Sequence, residues 1–221
     1  AARFFITATI VGGWFLPSRR KYPGLSGSGP TNFPQPFSMD RKLTMEELGR
    51  IDPAGYRSMS KVPITVVLDD VRSRHNVGSI FRTADGFGLE RLVLCGFTPC
   101  PPHREIEKTA LGATLSVPWQ HVGTIGEALT RLKQEGYLVI GVEQTVQAIP
   151  LGLWRPDPVQ RLAVVFGNEL TGVSEEAIGL CDACLVVPQM GTKHSLNVSV
   201  CAGIVLWHLV QGHSRQREQA T

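Results

Sequence analysis

The sequence predicts an α/β protein built on a parallel sheet covered by helices on both faces. From residue 62 onward, short apolar runs rich in Val, Ile and Leu alternate with segments of helical periodicity. The apolar runs show no polar alternation, as strands buried on both faces require. The 221 residues are 43% hydrophobic and 19% charged. That is enough apolar material for one sizeable core, and it excludes a disordered chain, a collagen and a disulfide mini-scaffold.

Residues 4–16 (FFITATIVGGWFL) form an apolar run after Arg3. It is shorter than the roughly 20 residues of a membrane span, of signal-peptide length, and without a clear small-x-small cleavage site. Residues 24–37 (GLSGSGPTNFPQPF) read as a flexible linker. The composition changes at Met39, and Thr44 followed by Glu46 and Glu47 predicts a capped helix start. The expected organisation is a dispensable extension over 1–38, with Met39 as the native start and a targeting segment as the alternative. A short helical segment over 39–61, the main domain over 62–213 and a tail over 214–221 follow.

Within the main domain a strand over 64–68 precedes a helix over 76–88, which has Asn76 as its N-cap and Val77, Ile80, Phe81 and Ala84 as its core face. Strands over 91–95, 117–122 and 137–142 alternate with helices over 103–111 and 124–136. A Pro-rich loop leads to a strand over 162–166. Ser174 followed by Glu175 and Glu176 starts another helix. A strand over 184–187 and a helix over 195–211 complete the pattern, with Ser195 as that helix's expected N-cap.

The net charge is +3, but Arg3, Arg19, Arg20 and Lys21 fall in residues 1–38 with no acid, so the rest of the chain is left at −1. Overall charge therefore lends no support to nucleic-acid binding, which rests on local basic patches. The five cysteines, an odd number, suit free thiols in a reduced, cytoplasmic protein. Cys181-Asp-Ala-Cys184 has the spacing of a metal or redox pair, and Cys95, Cys100 and His103 can be imagined beside it. With no second such pair, packing is the favoured reading and no metal is expected.

Three stretches carry chemistry. In the first, Asn76-Val-Gly-Ser-Ile-Phe-Arg82-Thr-Ala, Arg82 falls off the apolar stripe of its helix. A long side chain there is expected to reach the carboxyl edge of the sheet, where open α/β sheets bind ligands; the plain reading is a capping Asn and a surface Arg. In the second, Phe166-Gly167-Asn-Glu169-Leu-Thr-Gly172, a buried strand runs into a loop with two glycines and one acid. Glycine there admits a close ligand and Glu169 supplies an acceptor, against a plain tight turn. In the third, Val187-Pro-Gln-Met-Gly191 leads to Ser195-Leu-Asn197-Val-Ser-Val, which places Asn197 in a helix apolar nearly all round. Burial there requires a partner.

Together, in order and spacing, these stretches resemble the SpoU (TrmH-like) branch of the SPOUT RNA methyltransferases, over about residues 62–211. The resemblance implies an α/β fold with a C-terminal trefoil knot, a rare exception to unknotted chains. It implies a homodimer, S-adenosylmethionine as cofactor, and methyl transfer to a ribose 2′-hydroxyl of tRNA or rRNA. By motif match Gly167, Val187 and Leu196, with Val142, would hold the cofactor. Arg82 would be the catalytic arginine, oriented by Asn76, with Glu169, Ser195 and Asn197 organising the site. The resemblance also allows Arg82 to act across the dimer interface. Arg72, Arg74, His75, Arg104, Lys108 and Lys193 are the basic candidates for RNA contact, with solvated surface charge as the plain alternative. The rival reading is a non-catalytic RNA-binding relative. A nicotinamide or nucleotide enzyme is disfavoured, because no GxGxxG follows the first strand and no phosphate-binding P-loop occurs.

Overall fold

Apolar β-branched residues build the centre of the protein. In the computed structural model, which describes residues 41–44, 46–49, 51–155, 157 and 159–217 (side chains to 212), strand β1 (Val62–Asp69) pairs in parallel with β2 (Leu89–Cys95) on one side and with β6 (Leu162–Phe166) on the other. Strand β3 (Trp119–Val122) extends the β2 side, while β4 (Leu138–Val142), β7 (Ala183–Val186) and β5 (Ile149–Pro150) extend the β6 side. The sheet has seven strands in the order β3-β2-β1-β6-β4-β7-β5. All its pairings are parallel, so the carboxyl ends of the strands share one edge. The chain order reverses where β1 meets β6, the kind of switch point at which such sheets open a crevice.

Alternate residues of each strand face opposite layers. Ile64, Val66, Leu68, Leu92, Leu94, Ile140, Val164 and Phe166 pack with helices α2 (Arg74–Phe87) and α7 (Val198–Arg217). Val67, Val93, Cys95, Val139, Ala163 and Val165 pack with α5 (Ile125–Gln134) and α6 (Glu175–Leu180). The unbroken apolar runs thus serve two cores, and the parallel α/β architecture expected from them is observed. The expected core face of α2 is buried at Val77, Ile80, Phe81 and Ala84. Ser174 caps α6 as anticipated and Thr124 caps α5, each accepting a backbone N–H three residues on. Helices α3 (Arg104–Ala110) and α4 (Ala113–Ser116) bridge β2 and β3.

Several local readings are corrected. Residues 46–49 form a turn rather than a helix: Thr44 and Glu47 exchange capping bonds at 2.8 and 3.3 Å, but Gly49 at φ +58 interrupts the chain. The helix in this region is α1 (Pro53–Ser58), capped by Asp52. Tyr56 on α1 is buried and its hydroxyl lies 3.2 Å from the carbonyls of Ala84 and Leu89. Helix α1 falls in the same compact unit as the sheet. The apolar run over 4–16 and the linker over 24–37 lie outside the described residues. Among the described residues no helix is long and apolar enough to cross a membrane.

Helices α2 and α3 touch through Gly78, where a Cβ would lie 2.1 Å from Thr109 Oγ1 and 2.3 Å from the Ile106 carbonyl. Gly78→Ala must force the helices apart and is expected to lower stability by about 1–3 kcal/mol in urea unfolding. Gly86→Ala on the same helix, with nothing within 4 Å of the added methyl, is expected to be neutral or slightly stabilising.

Candidate active site

Among the described residues, the ends of β4, β6 and β7 and the segments that follow them enclose a cleft of about 460 Å³, in the size range of small-molecule sites. Its walls combine apolar groups (Val142, Phe166, Leu185, Val187, Leu196) with the polar side chains of Glu143, Gln144, Asn168, Glu169, Gln189 and Asn197.

One relay of hydrogen bonds ties the three chemical stretches together beside this cleft. Glu169 accepts the Arg72 N–H at 2.9 Å, the Ser73 N–H at 3.0 Å and the Asn76 Nδ2 at 2.8 Å. Asn76 Oδ1 in turn accepts Asn197 Nδ2 at 3.1 Å. Asn197 Oδ1 receives the N–H groups of Ser199 and Val200 at 2.9 and 3.3 Å, and the Ser199 hydroxyl at 2.7 Å. Each amide uses both ends, so the network fixes which way each one points.

This geometry corrects three expectations. Asn76 is not the cap of its helix: Ser73 is, accepting the Asn76 N–H at 3.3 Å. That frees the Asn76 amide, buried at 9% exposure, to span Glu169 and Asn197. Ser195 does not cap α7, which begins at Val198. Asn197 takes the free N–H groups of the first turn instead and is exposed rather than embedded in the helix.

Burial works to raise the Glu169 carboxyl, but the bonds from Arg72, Asn76 and Ser73 prevail and hold it below its ordinary value. A carboxyl lower in the folded than in the unfolded chain adds stability above its unfolded value and loses it as pH falls through the folded one. Glu169→Gln is therefore expected to lose less Tm than the parent chain between about pH 6 and about pH 3. Equal losses in thermal unfolding would contradict the clamp.

The loop after β6 is folded back on itself. Asn168 and Gly172 exchange backbone bonds of 2.9 Å. A Cβ on Gly167 would stand 2.1 Å from both Gly172 C and Val173 N, so only glycine fits. Asn168 also reaches the Asp70 carbonyl at 2.7 Å, and the Ser174 N–H donates to Asp69 at 2.9 Å. Glu143, at the end of β4, was not singled out from sequence. It pins the loop from the other side, accepting the Val173 N–H at 2.9 Å and the Gln144 N–H at 2.7 Å. Its only signal in the chain is an acid directly after an apolar run.

Val142, Gly167, Val187 and Leu196 all line the cleft, as do Glu169, Ser195 and Asn197. Arg82 does not. It is exposed on α2 and lines a second depression with Ser79, Thr83, Phe87, Lys108, Thr109 and Gly203, away from the carboxyl edge it was expected to reach. Arg72, Arg74, His75, Arg104, Lys108 and Lys193 are all exposed, and Arg74 faces Glu105 at 3.6 Å. The thiols of Cys181 and Cys184 flank Gly141, on which a Cβ would meet them at 3.0 and 3.2 Å. Burial pushes the thiols of Cys95 and Cys181 up to about 12 and that of Cys201 to about 11. Among the described residues no three His, Cys, Asp or Glu side chains group as a metal site would require.

Residues 63–207 match the SpoU rRNA Methylase family. The chain is 32% identical over 149 residues to the 23S rRNA (guanosine-2'-O-)-methyltransferase RlmB of Neisseria meningitidis serogroup B, covering 67% of this chain and 58% of that protein. It is 30% identical over 157 residues to the tRNA (guanosine(18)-2'-O)-methyltransferase of Escherichia coli K12, covering 71% and 65%. The chain thus spans 58% and 65% of these two curated relatives. Among solved structures, the A. aeolicus TrmH/SpoU tRNA modifying enzyme superposes with a TM-score of 0.64 at 26% identity, over 71% of this chain and 78% of that one. AviRb of Streptomyces viridochromogenes in complex with AdoMet shares the fold, with a TM-score of 0.63 at 24% identity over 73% and 63%.

Proposed function

Because the chain belongs to the SpoU rRNA methylase family, we propose that it is an S-adenosylmethionine-dependent RNA methyltransferase acting on a ribose 2′-hydroxyl of tRNA or rRNA. The observation that carries this reading is the Asn197–Asn76–Glu169 relay, which binds the three stretches of family resemblance into one site at the cleft. The cleft suits the cofactor: apolar walls for a purine, side-chain amides and carboxylates for its polar groups, and a glycine loop folded too tightly to admit a Cβ. Val142, Gly167, Val187 and Leu196 are the residues that would hold it. S-adenosylmethionine, when bound, supplies the methyl group and a sulfonium leaving group.

The protein's share is alignment and charge. Glu169 is occupied by three N–H donors, so it holds the site rather than taking a proton. A guanidinium donates hydrogen bonds and does not accept protons. Arg82 therefore positions the ribose hydroxyl and stabilises the alkoxide as it develops, with a substrate phosphate receiving the proton. Asn197 holds the segment leading into α7, Ser195 lines the cleft beside it, and the C-terminal trefoil knot belongs to the same reading.

Arg82 lies off the cleft of its own chain, which fits a homodimer in which each protomer completes the other's site. Val200, Ile204 and Trp207 leave 53%, 40% and 54% of their surface exposed on one face of α7 at helical spacing. Gly203 of that helix borders the Arg82 depression. An apolar stripe of this kind is a protein–protein surface. RNA substrates and free thiols accord with a cytoplasmic protein.

The test is transfer of labelled methyl from S-adenosylmethionine to unmodified tRNA and rRNA fractions. Label in RNA, lost in Glu169→Ala and Asn197→Ala chains, supports the reading. Absence of cofactor binding, with RNA still bound, contradicts it in favour of a non-catalytic RNA-binding relative.

A further inference from the structure

Phe97 is 89% exposed, a large apolar side chain turned to water on a loop with little freedom. Its N–H donates to Asp70 Oδ1 at 2.7 Å. Gly96 stands at φ +58, and Asp70, which is not glycine, at φ +53. A Cβ on Gly96 would lie 2.1 Å from Asp70 Oδ1. The Gly96 N–H donates to the Val122 carbonyl at 3.1 Å, and its own carbonyl is 2.9 Å from His121 Nε2. Thr98, buried, donates to the Leu68 carbonyl and accepts the Val71 N–H, each at 3.1 Å. Scattered exposed apolar residues are ordinary. A ring whose loop is bonded on both sides, with a left-handed non-glycine residue holding it, is a group presented to something.

Its surroundings indicate to what. The loop follows β2, two strands from β6. At the usual strand spacing it stands about 10 Å along the carboxyl edge from the loop that carries Glu169. Asp70 joins the two: its side chain holds the Phe97 N–H and its carbonyl takes the Asn168 amide. Arg72, His75 and Arg104 are exposed on the segments that flank this loop. The nearby carboxylates are engaged, Asp70 and Glu169 by backbone N–H groups and Glu105 by Arg74. Charge that holds a sugar-phosphate backbone, beside a ring that stacks a base, is how proteins grip unpaired nucleic acid.

We propose that Phe97 is a stacking platform for an unpaired base of the RNA, beside the nucleotide whose ribose enters the cleft. This rests on the RNA methyltransferase reading above. Full-length Phe97→Ala, Phe97→Leu and Phe97→Tyr chains are compared with the parent in filter binding to the RNA fraction the parent methylates. Steady-state kinetics, cofactor binding and sedimentation are measured alongside. Alanine and leucine are expected to weaken RNA binding and raise KM for RNA about tenfold, and tyrosine to restore both, because stacking needs a π-face. Cofactor affinity, kcat at saturating RNA and Tm stay unchanged. Equal RNA affinity of parent and Phe97→Ala, with methyl transfer intact, overturns the platform and leaves the methyltransferase reading standing. A parent chain that neither binds RNA nor transfers methyl overturns both. A smaller assembly in Phe97→Ala assigns the ring to contact between protomers and also overturns the proposal.

Discussion

Replacing Arg82 with alanine is expected to lower methyl transfer by about 10²–10⁴-fold, the range for loss of a positioned group that stabilises developing charge. The side chain is exposed and borders a depression rather than the core, so Tm and cofactor binding should hold. The loss should fall on kcat. Because Arg82 is off its own cleft, the variant also reports on assembly. Mixing Arg82→Ala with Asn197→Ala subunits should regain activity, since one hybrid site keeps both groups. Activity that stays absent in proven mixed dimers counts against a shared site, and a chain that keeps full activity without Arg82 removes it from the chemistry. Lysine should restore little, because a point charge lacks the planar fork of donors that aligns a hydroxyl.

Gly167→Ala should act on the other half of the site. The added methyl would stand 2.1 Å from backbone atoms of Gly172 and Val173, and backbone cannot turn aside as a flexible side chain can. The loop must open, breaking the paired Asn168 and Gly172 bonds and the Glu143 pin. Calorimetric cofactor affinity is expected to fall at least about 100-fold, with a stability loss of about 1–3 kcal/mol. Gly179→Ala is the control: it sits in α6 with nothing within 4 Å and should leave both quantities unchanged. Equal cofactor affinity in the two variants would mean that the loop does not shape the cleft.

The architecture was legible because local pattern and global burial agree. The runs around Val66, Val93 and Val164 lack polar alternation, and each does face two cores. Asn76 was misread because Ser73 and Asn76 are both good caps three residues apart, and local preference does not rank them. What decides is Glu169, 93 residues away, which takes the Asn76 amide. Asn197 was placed inside the last helix because the apolar periodicity runs on past it. Its side chain instead closes the helix start and reaches 121 residues back to Asn76. Glu143 and Phe97 gave little local signal: one acts through the Val173 N–H, the other through a loop bound to Asp70. The reach expected of Arg82 is that of a long side chain toward its own sheet edge, whereas on α2 it borders the depression it shares with Lys108 and Gly203.

Where the methyl group ends up decides whether this chain acts on a ribose. RNA incubated with the full chain and isotopically labelled S-adenosylmethionine is digested to nucleosides, and the label is assigned by chromatography and mass spectrometry, with the Arg82→Ala chain in parallel. Label is expected on the ribose of a 2′-O-methylated nucleoside, in a linkage that resists alkali, and is expected to be lost in Arg82→Ala. Label on a base, or ribose label that persists without Arg82, would contradict this expectation.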